Sequence, residues 1–456
     1  MPSTKILMLS LRKVNYEFYT SSRLKTLSFA NFWSATMSLI SAHLVRCVGL
    51  LLNRFYRWMY AIKPNQMHIW NILCRHRPSV GGGNEDNCIT YHKSVSHASD
   101  LLKKNNYVMN LTESQVVLAE CHDDVYNVSK YSFFYNAIFD EAAILKTLTI
   151  EDFLTYVESI DYPNVDVLFL WSTGRCGSTM LAACFEALDN CVSLSEPLDV
   201  FVPWELRKKI SPEIYHRLLE ATLKYHLYQI LLQKPETKLV LIKTCSWCFW
   251  YPVESSSSSR FNHAFMYRDL EGYYLSSAIF AKVYGNAKRG SLVAKLTDFD
   301  HFLDRAINCL IHAVARYSTE KAKELEKILY EEDKLTDIFT GMGTPILYYI
   351  YSQLLAQKNV NIVAVKYEEV RKDTISIFQQ LLQHINKSVS DEEMERVLES
   401  TKRDSQENTS LSSFNKEKFI DPFIRKRINI AVRVLAVFGM EYMSEKGAML
   451  QSTLTS

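Results

Sequence analysis

The 456-residue chain carries almost no excess charge of either sign: 52 Lys and Arg stand against 50 Asp and Glu, a formal +2. Nucleic-acid binders show a strongly basic face, and nothing in this balance favours such a partner. Any anion binding must therefore come from local placement of basic groups. Cysteine is sparse too. Ten are scattered along the chain, too thinly for a secreted disulfide framework, and the two CxxC or CxxH pairs of a zinc site are missing. The single CxxC, Cys245-Ser-Trp-Cys248, reads as a redox pair, a local disulfide or an incidental spacing. No repeat of solenoid period is present. Also absent is the GxxxxGK[ST] loop of nucleotide hydrolases.

What the chain does have begins with one long apolar run. Residues 32–52, "FWSATMSLISAHLVRCVGLLL", are about the length that crosses a bilayer. Lys5, Arg12, Lys13, Arg23 and Lys25 precede it, so the positive-inside rule puts the N-terminus in the cytosol. The run starts too far from Met1 for a cleavable signal peptide. His43 and Arg46 lie inside it, which leaves an amphipathic helix on the protein or on a membrane surface as the alternative. Four N-x-[ST] sequons start at Asn110, Asn127, Asn386 and Asn408; they permit a lumenal location without arguing for one.

Downstream, the turn-forming "SVGGGNED" at 79–86 marks a loop. Residues 66–164 are expected to form a mainly helical accessory module after a helical N-terminal extension. Periodicity then changes. "VDVLFLW" (165–171), "KLVLIK" (238–243), "NHAFMY" (262–267) and "VNIVAVKY" (360–367) are continuous apolar runs, as strands buried on both faces require. Helical segments at 205–233, 271–284 and 301–330 separate them. The expected fold is an α/β three-layer sandwich with a central parallel sheet. Four regions are expected: 1–65 with the anchor, 66–164, a main domain over 165–440, and a 441–456 tail.

Ligands of such sheets bind at the carboxyl ends of the strands, which picks out the polar residues just past each apolar run. After the first come Thr173, Gly174, Arg175, Cys176, Gly177, Ser178 and Thr179, opening a helix whose N–H groups suit an anion. After the second comes Lys243. After the third comes Arg268, with Ser276 eight residues on.

These residues resemble the sulfotransferases that use 3'-phosphoadenosine 5'-phosphosulfate, in their membrane-bound Golgi branch. Arg175-Cys176-Gly177-Ser178-Thr179 is similar to that branch's R-S-G-[ST]-[ST] phosphosulfate loop, with Cys in place of the usual Ser. Arg268 and Ser276 match the spacing of its 3'-phosphate element, and "VKYEEV" resembles its R-Y-E-D-L segment. The resemblance spans about 165–440. It implies a P-loop NTPase-like sulfotransferase fold, this nucleotide as donor with no metal, a carbohydrate or protein acceptor, and a type II Golgi membrane protein with a lumenal catalytic domain. Glu196 in "LSEPLDVF" stands where the family carries its base, with Asp199 behind it, because an alcohol acceptor must lose its proton. Lys243 matches a lysine that would stabilise the leaving phosphate. The segment 403–418, with Ser410, Ser412 and Lys416, occupies the place of the family's closing loop. The alternatives are a kinase-like P-loop protein, and an anchored binding protein without turnover.

Overall fold

The computed structural model describes residues 44, 47–56, 59–75, 85–122, 125–126, 133–197, 204–244, 260–284, 299–331, 335–357, 359–402 and 422–455. They divide into two compact units. One draws on Met1–Asn127, Phe133–Asn164 and Leu198–Glu236; the other on Val165–Pro197 and Thr237–Ser456.

The first unit is built on an antiparallel sheet, not on helices. Strands β1 (Gln66–Arg75), β2 (Cys88–His97), β3 (Asn106–Leu111), β4 (Gln115–Cys121) and β5 (Ala142–Thr149) stand in the order β2-β1-β5-β4-β3. The expectation of a mainly helical 66–164 is thus corrected. Among the described residues the α-helices there are Phe134–Glu141 and Ile150–Ser159. Strand β5, AAILKTLT, shows why: Ala, Leu and Lys favour helix, yet β5 is paired on both sides, to β1 and β4. Pairing in the interior of a sheet outweighs so weak a propensity. Helix Pro212–Gln233, expected with the main domain, belongs to this unit, where the Tyr225 hydroxyl donates to Leu101 O at 2.9 Å.

The tail of the apolar run is helical over 47–56. A Cβ on Gly49 would lie 2.7 Å from Asp86 O and 2.9 Å from Cys88 O at the start of β2, so this helix approaches that backbone closely. Asn53 Nδ2 donates to Glu85 O, and the Tyr56 ring meets Trp70 at 5.3 Å. Among the described residues no helix is long and apolar enough to cross a membrane; residues 32–43 lie outside them. The sequon at Asn110 falls in β3, where Nδ2 donates to Glu85 Oε2 at 2.8 Å. Those at Asn127 and Asn408 lie outside the described residues.

The second unit is a mixed α/β structure around a six-stranded parallel sheet. Its strands are β6 (Asp166–Ser172), β7 (Cys191–Ser195), β8 (Leu239–Lys243), β9 (Asn262–Tyr267), β10 (Asn361–Lys366) and β11 (Thr453–Leu454). Their order is β7-β8-β6-β9-β10-β11, with every pairing parallel. The period-2 alternation of strands sorts the side chains. Leu168, Leu170, Leu239, Leu241, Ala264 and Met266 pack with Leu181, Phe185, Phe378 and Val397 from helices Ser178–Glu186, Thr374–His384 and Asp391–Thr401. The opposite face carries aromatics: Phe169 stacks on Trp171, and Phe265 lies 5.1 Å from Tyr351 of helix Leu335–Ala356. Helices therefore cover both faces.

Two expectations change here. The helix expected over 301–330 is two, Phe299–Ala315 and Thr319–Glu331. The 441–456 "tail" contributes β11, and the Ser452 carbonyl just before that strand accepts from Ala364 N–H at 3.1 Å. A two-residue strand is too short to leave a periodic signal.

Candidate anion-binding site at the carboxyl rim

In this strand order β6 is the switch point: the chain goes from β6 to β7 and β8 on one side, then crosses to β9 on the other. Carboxyl ends of parallel strands share one rim, and a switch point opens a crevice there. At about 4.8 Å per strand, the ends of β7, β8, β6 and β9 span roughly 14 Å.

The loop after β6 is stapled to β9 at a single carbonyl. Met266 O accepts from Thr173 N–H at 3.1 Å and from the Cys176 thiol at 3.3 Å. Cys176 is fully buried, and burial pushes its thiol pKa up. It is a packing group here, not a nucleophile. Gly174, Arg175 and Gly177 have φ of 74°, 53° and 84°. A non-glycine residue in the left-handed region costs about 1 kcal/mol or more, so Arg175 is held there by its surroundings. Gly177 is the N-cap of helix Ser178–Glu186 and supplies no side-chain cap. The first-turn N–H groups and the positive end of the helix dipole stand at the loop.

Arg175 Nε donates to Ser276 Oγ at 3.3 Å, joining two residues that the sequence assigned to separate elements. Arg268 Nη1 in turn donates to Arg175 O at 3.4 Å. Burial first, and then the charge of Arg268, pull the Arg175 guanidinium below its ordinary pKa, although arginine stays charged. Two guanidinium groups thus stand together at the loop. Arg268 lies over the Tyr367 ring with Cζ 4.5 Å from the centroid, and Nε is 3.5 Å from Glu368 Oε1. A Cβ on Gly272 would come within 2.6 Å of Arg268 Nε, so the glycine makes room for the side chain.

The second cluster stands at the ends of β7 and β8. Lys243 Nζ is 2.7 Å from Glu196 Oε1 and 3.3 Å from Ser195 Oγ; the lysine side chain is 3% exposed and the glutamate 19%. Glu196 has φ 58°, and its N–H donates to Lys243 O at 2.7 Å. The pairing of Ser195 with Lys243 sets this up. Two groups given separate tasks by the sequence are therefore an ion pair. Thr173, Ser178 and Thr179 are buried in the loop and first helical turn. Asp199, Cys245, Cys248, Ser410, Ser412 and Lys416 lie outside the described residues.

Sequence reasoning passed over Tyr367 and Glu368 as mostly structural. They follow β10 directly, so the rule that picked Lys243 and Arg268 would have picked them too.

No protein-family model matches the chain, and no curated protein matches it.

Proposed function

We propose that the second unit is a sulfotransferase of P-loop NTPase-like fold. It transfers a sulfonate group from 3'-phosphoadenosine 5'-phosphosulfate to a hydroxyl or amino group of a carbohydrate or protein. The observation that carries this reading is the pair of guanidinium groups, Arg175 and Arg268, gathered at a glycine-containing loop and helix N-terminus on the sheet's carboxyl rim. Like charges so placed are stabilised by an anion between or beside them, and a nucleotide with two anionic arms supplies one for each.

The chemistry is an in-line displacement. Glu196 takes the proton of the acceptor hydroxyl, the acceptor oxygen bonds to sulfur, and the bond from sulfur to the phosphate oxygen breaks. Adenosine 3',5'-bisphosphate leaves with the electron pair. Lys243 holds Oε1 of Glu196, which makes Oε2 the oxygen that receives the proton. As charge builds on the departing phosphate, the ammonium turns part of its bonding to it. Arg175 and the loop N–H groups meet the sulfonate oxygens, where donors held in advance lower the barrier. Arg268 and Ser276 take the 3'-phosphate.

On the same resemblance we place this activity in the Golgi lumen, behind an N-terminal anchor.

The closed Lys243–Glu196 pair also favours a second reading, a nucleotide-binding protein without turnover. Transfer of radiolabelled sulfate from the donor to glycans, tyrosyl peptides and small phenols separates the two. Labelled product from any acceptor, lost in Glu196→Gln, supports the enzyme. Donor binding with no product from the whole panel supports the second reading.

A further inference from the structure

The Tyr367 ring touches two elements that the proposed function treats as separate. Its Cδ2 and Cε2 sit against the backbone of Gly177, so close that a Cβ there would be 2.8 Å away. It also carries the Arg268 guanidinium, with Cζ 4.5 Å from the ring centroid. Gly177 caps the helix behind the phosphosulfate loop, and Arg268 is the candidate 3'-phosphate ligand. One aromatic side chain thus touches both anion-binding elements.

The neighbouring charges are arranged so that the ring is the main seat of the guanidinium. The adjacent carboxylate, Asp269, is taken by Lys366 at 2.7 Å, and Lys366 also donates to Ala448 O at 2.8 Å. Glu368 Oε2 accepts from Asp269 N–H at 3.3 Å, while its Oε1 stays 3.5 Å from Arg268 Nε without a direct hydrogen bond. The Arg268 backbone is fixed separately, its carbonyl accepting from the Tyr348 hydroxyl at 2.7 Å. At its edge the guanidinium donates from Nη1 to Arg175 O at 3.4 Å, and its face lies on the ring, whose quadrupole attracts it.

We propose that Tyr367 is the positioning residue of the donor site: it holds the Arg268 guanidinium toward the 3'-phosphate and fixes it relative to the Gly177 loop. This inference rests on the sulfotransferase reading. It assigns a task to the ring face and none to the phenolic hydroxyl.

The test is the ratio of affinities of the full-length protein for adenosine 3',5'-bisphosphate and adenosine 5'-monophosphate, which lacks the 3' arm. Titration calorimetry on the wild type, Tyr367→Phe, Tyr367→His and Tyr367→Leu measures it. The expected preference for the bisphosphate is unchanged within about twofold in the Phe variant. It is reduced in the His variant and falls about tenfold in the Leu variant, within the range of a desolvated cation–π contact. Monophosphate affinity changes little throughout. A role in packing alone would weaken both nucleotides equally, and that result overturns the proposal. So does a Phe variant that loses the preference, which also serves if the Leu variant does not fold. A wild type with no preference for the bisphosphate overturns the sulfotransferase reading, and this inference with it.

Discussion

Glu196→Gln perturbs two things at once, and the structure allows them to be separated. The substitution keeps the shape and one acceptor oxygen but removes the charge facing Lys243, whose side chain is 3% exposed. Breaking a fully buried pair costs about 3–5 kcal/mol. Here the carboxylate is 19% exposed, and glutamine still accepts a hydrogen bond, so a loss of about 2 kcal/mol is expected. Removing both charges with Glu196→Gln/Lys243→Met leaves no uncompensated cation and should recover most of that loss. Turnover follows a different course. The single variant lacks the proposed base and should fall at least about a hundredfold, and the double variant should be no better. Denaturant unfolding gives the stabilities, and radiolabelled sulfate transfer gives the rates. Near-normal turnover of Glu196→Gln at neutral pH would refute the base assignment. Recovery of turnover in the double variant would show that the pair is structural.

Arg175→Ala should lower turnover by at least about two orders of magnitude, as loss of a preorganised donor does, whereas Arg268→Ala should mainly raise the Kd of the donor; steady-state kinetics with nucleotide titration distinguish them. Gly177→Ala meets both a φ of +84° and the Tyr367 ring at 2.8 Å, so it should destabilise the second unit by about 1–3 kcal/mol, read by denaturant unfolding. Cys176→Ser keeps a donor for Met266 O; nucleotide affinity should hold within about threefold, near the net worth of one hydrogen bond, by calorimetry. In the first unit, burial lowers the pKa of both His68 and His92, and each other's charge adds to this at His68. The folded state thus binds fewer protons than the unfolded one just below the ordinary value of 6.5. Stability is present in full above that value and is lost as pH falls through it. Protection factors of the β1 amides, exchange rates corrected for the intrinsic pH dependence, should fall on acidification, and less so in a His68→Gln variant.

The parallel sheet was legible because strands buried on both faces must be continuously apolar. The run at 262–267 is β9 residue for residue. The first sheet was not legible. Its β5 is written in helix-favouring residues, and only neighbours distant in sequence make it a strand. At the rim, the rule that ligand groups follow strand ends located Arg175, Lys243 and Arg268, since a parallel sheet brings those ends together. The partnerships stayed hidden. That Lys243 faces Glu196 depends on the register of β7 against β8, and that Arg175 reaches Ser276 depends on a helix and a loop meeting. Neither is a property of local sequence.

Thermal unfolding of the full-length protein with adenosine 3',5'-bisphosphate, compared with ATP and Mg²⁺, decides which nucleotide the carboxyl rim binds. At a hundredfold excess over its Kd the bisphosphate should stabilise the protein by about 2.7 kcal/mol, with ATP and Mg²⁺ having little effect. Stabilisation by ATP and Mg²⁺ alone, or by neither nucleotide, would contradict the account.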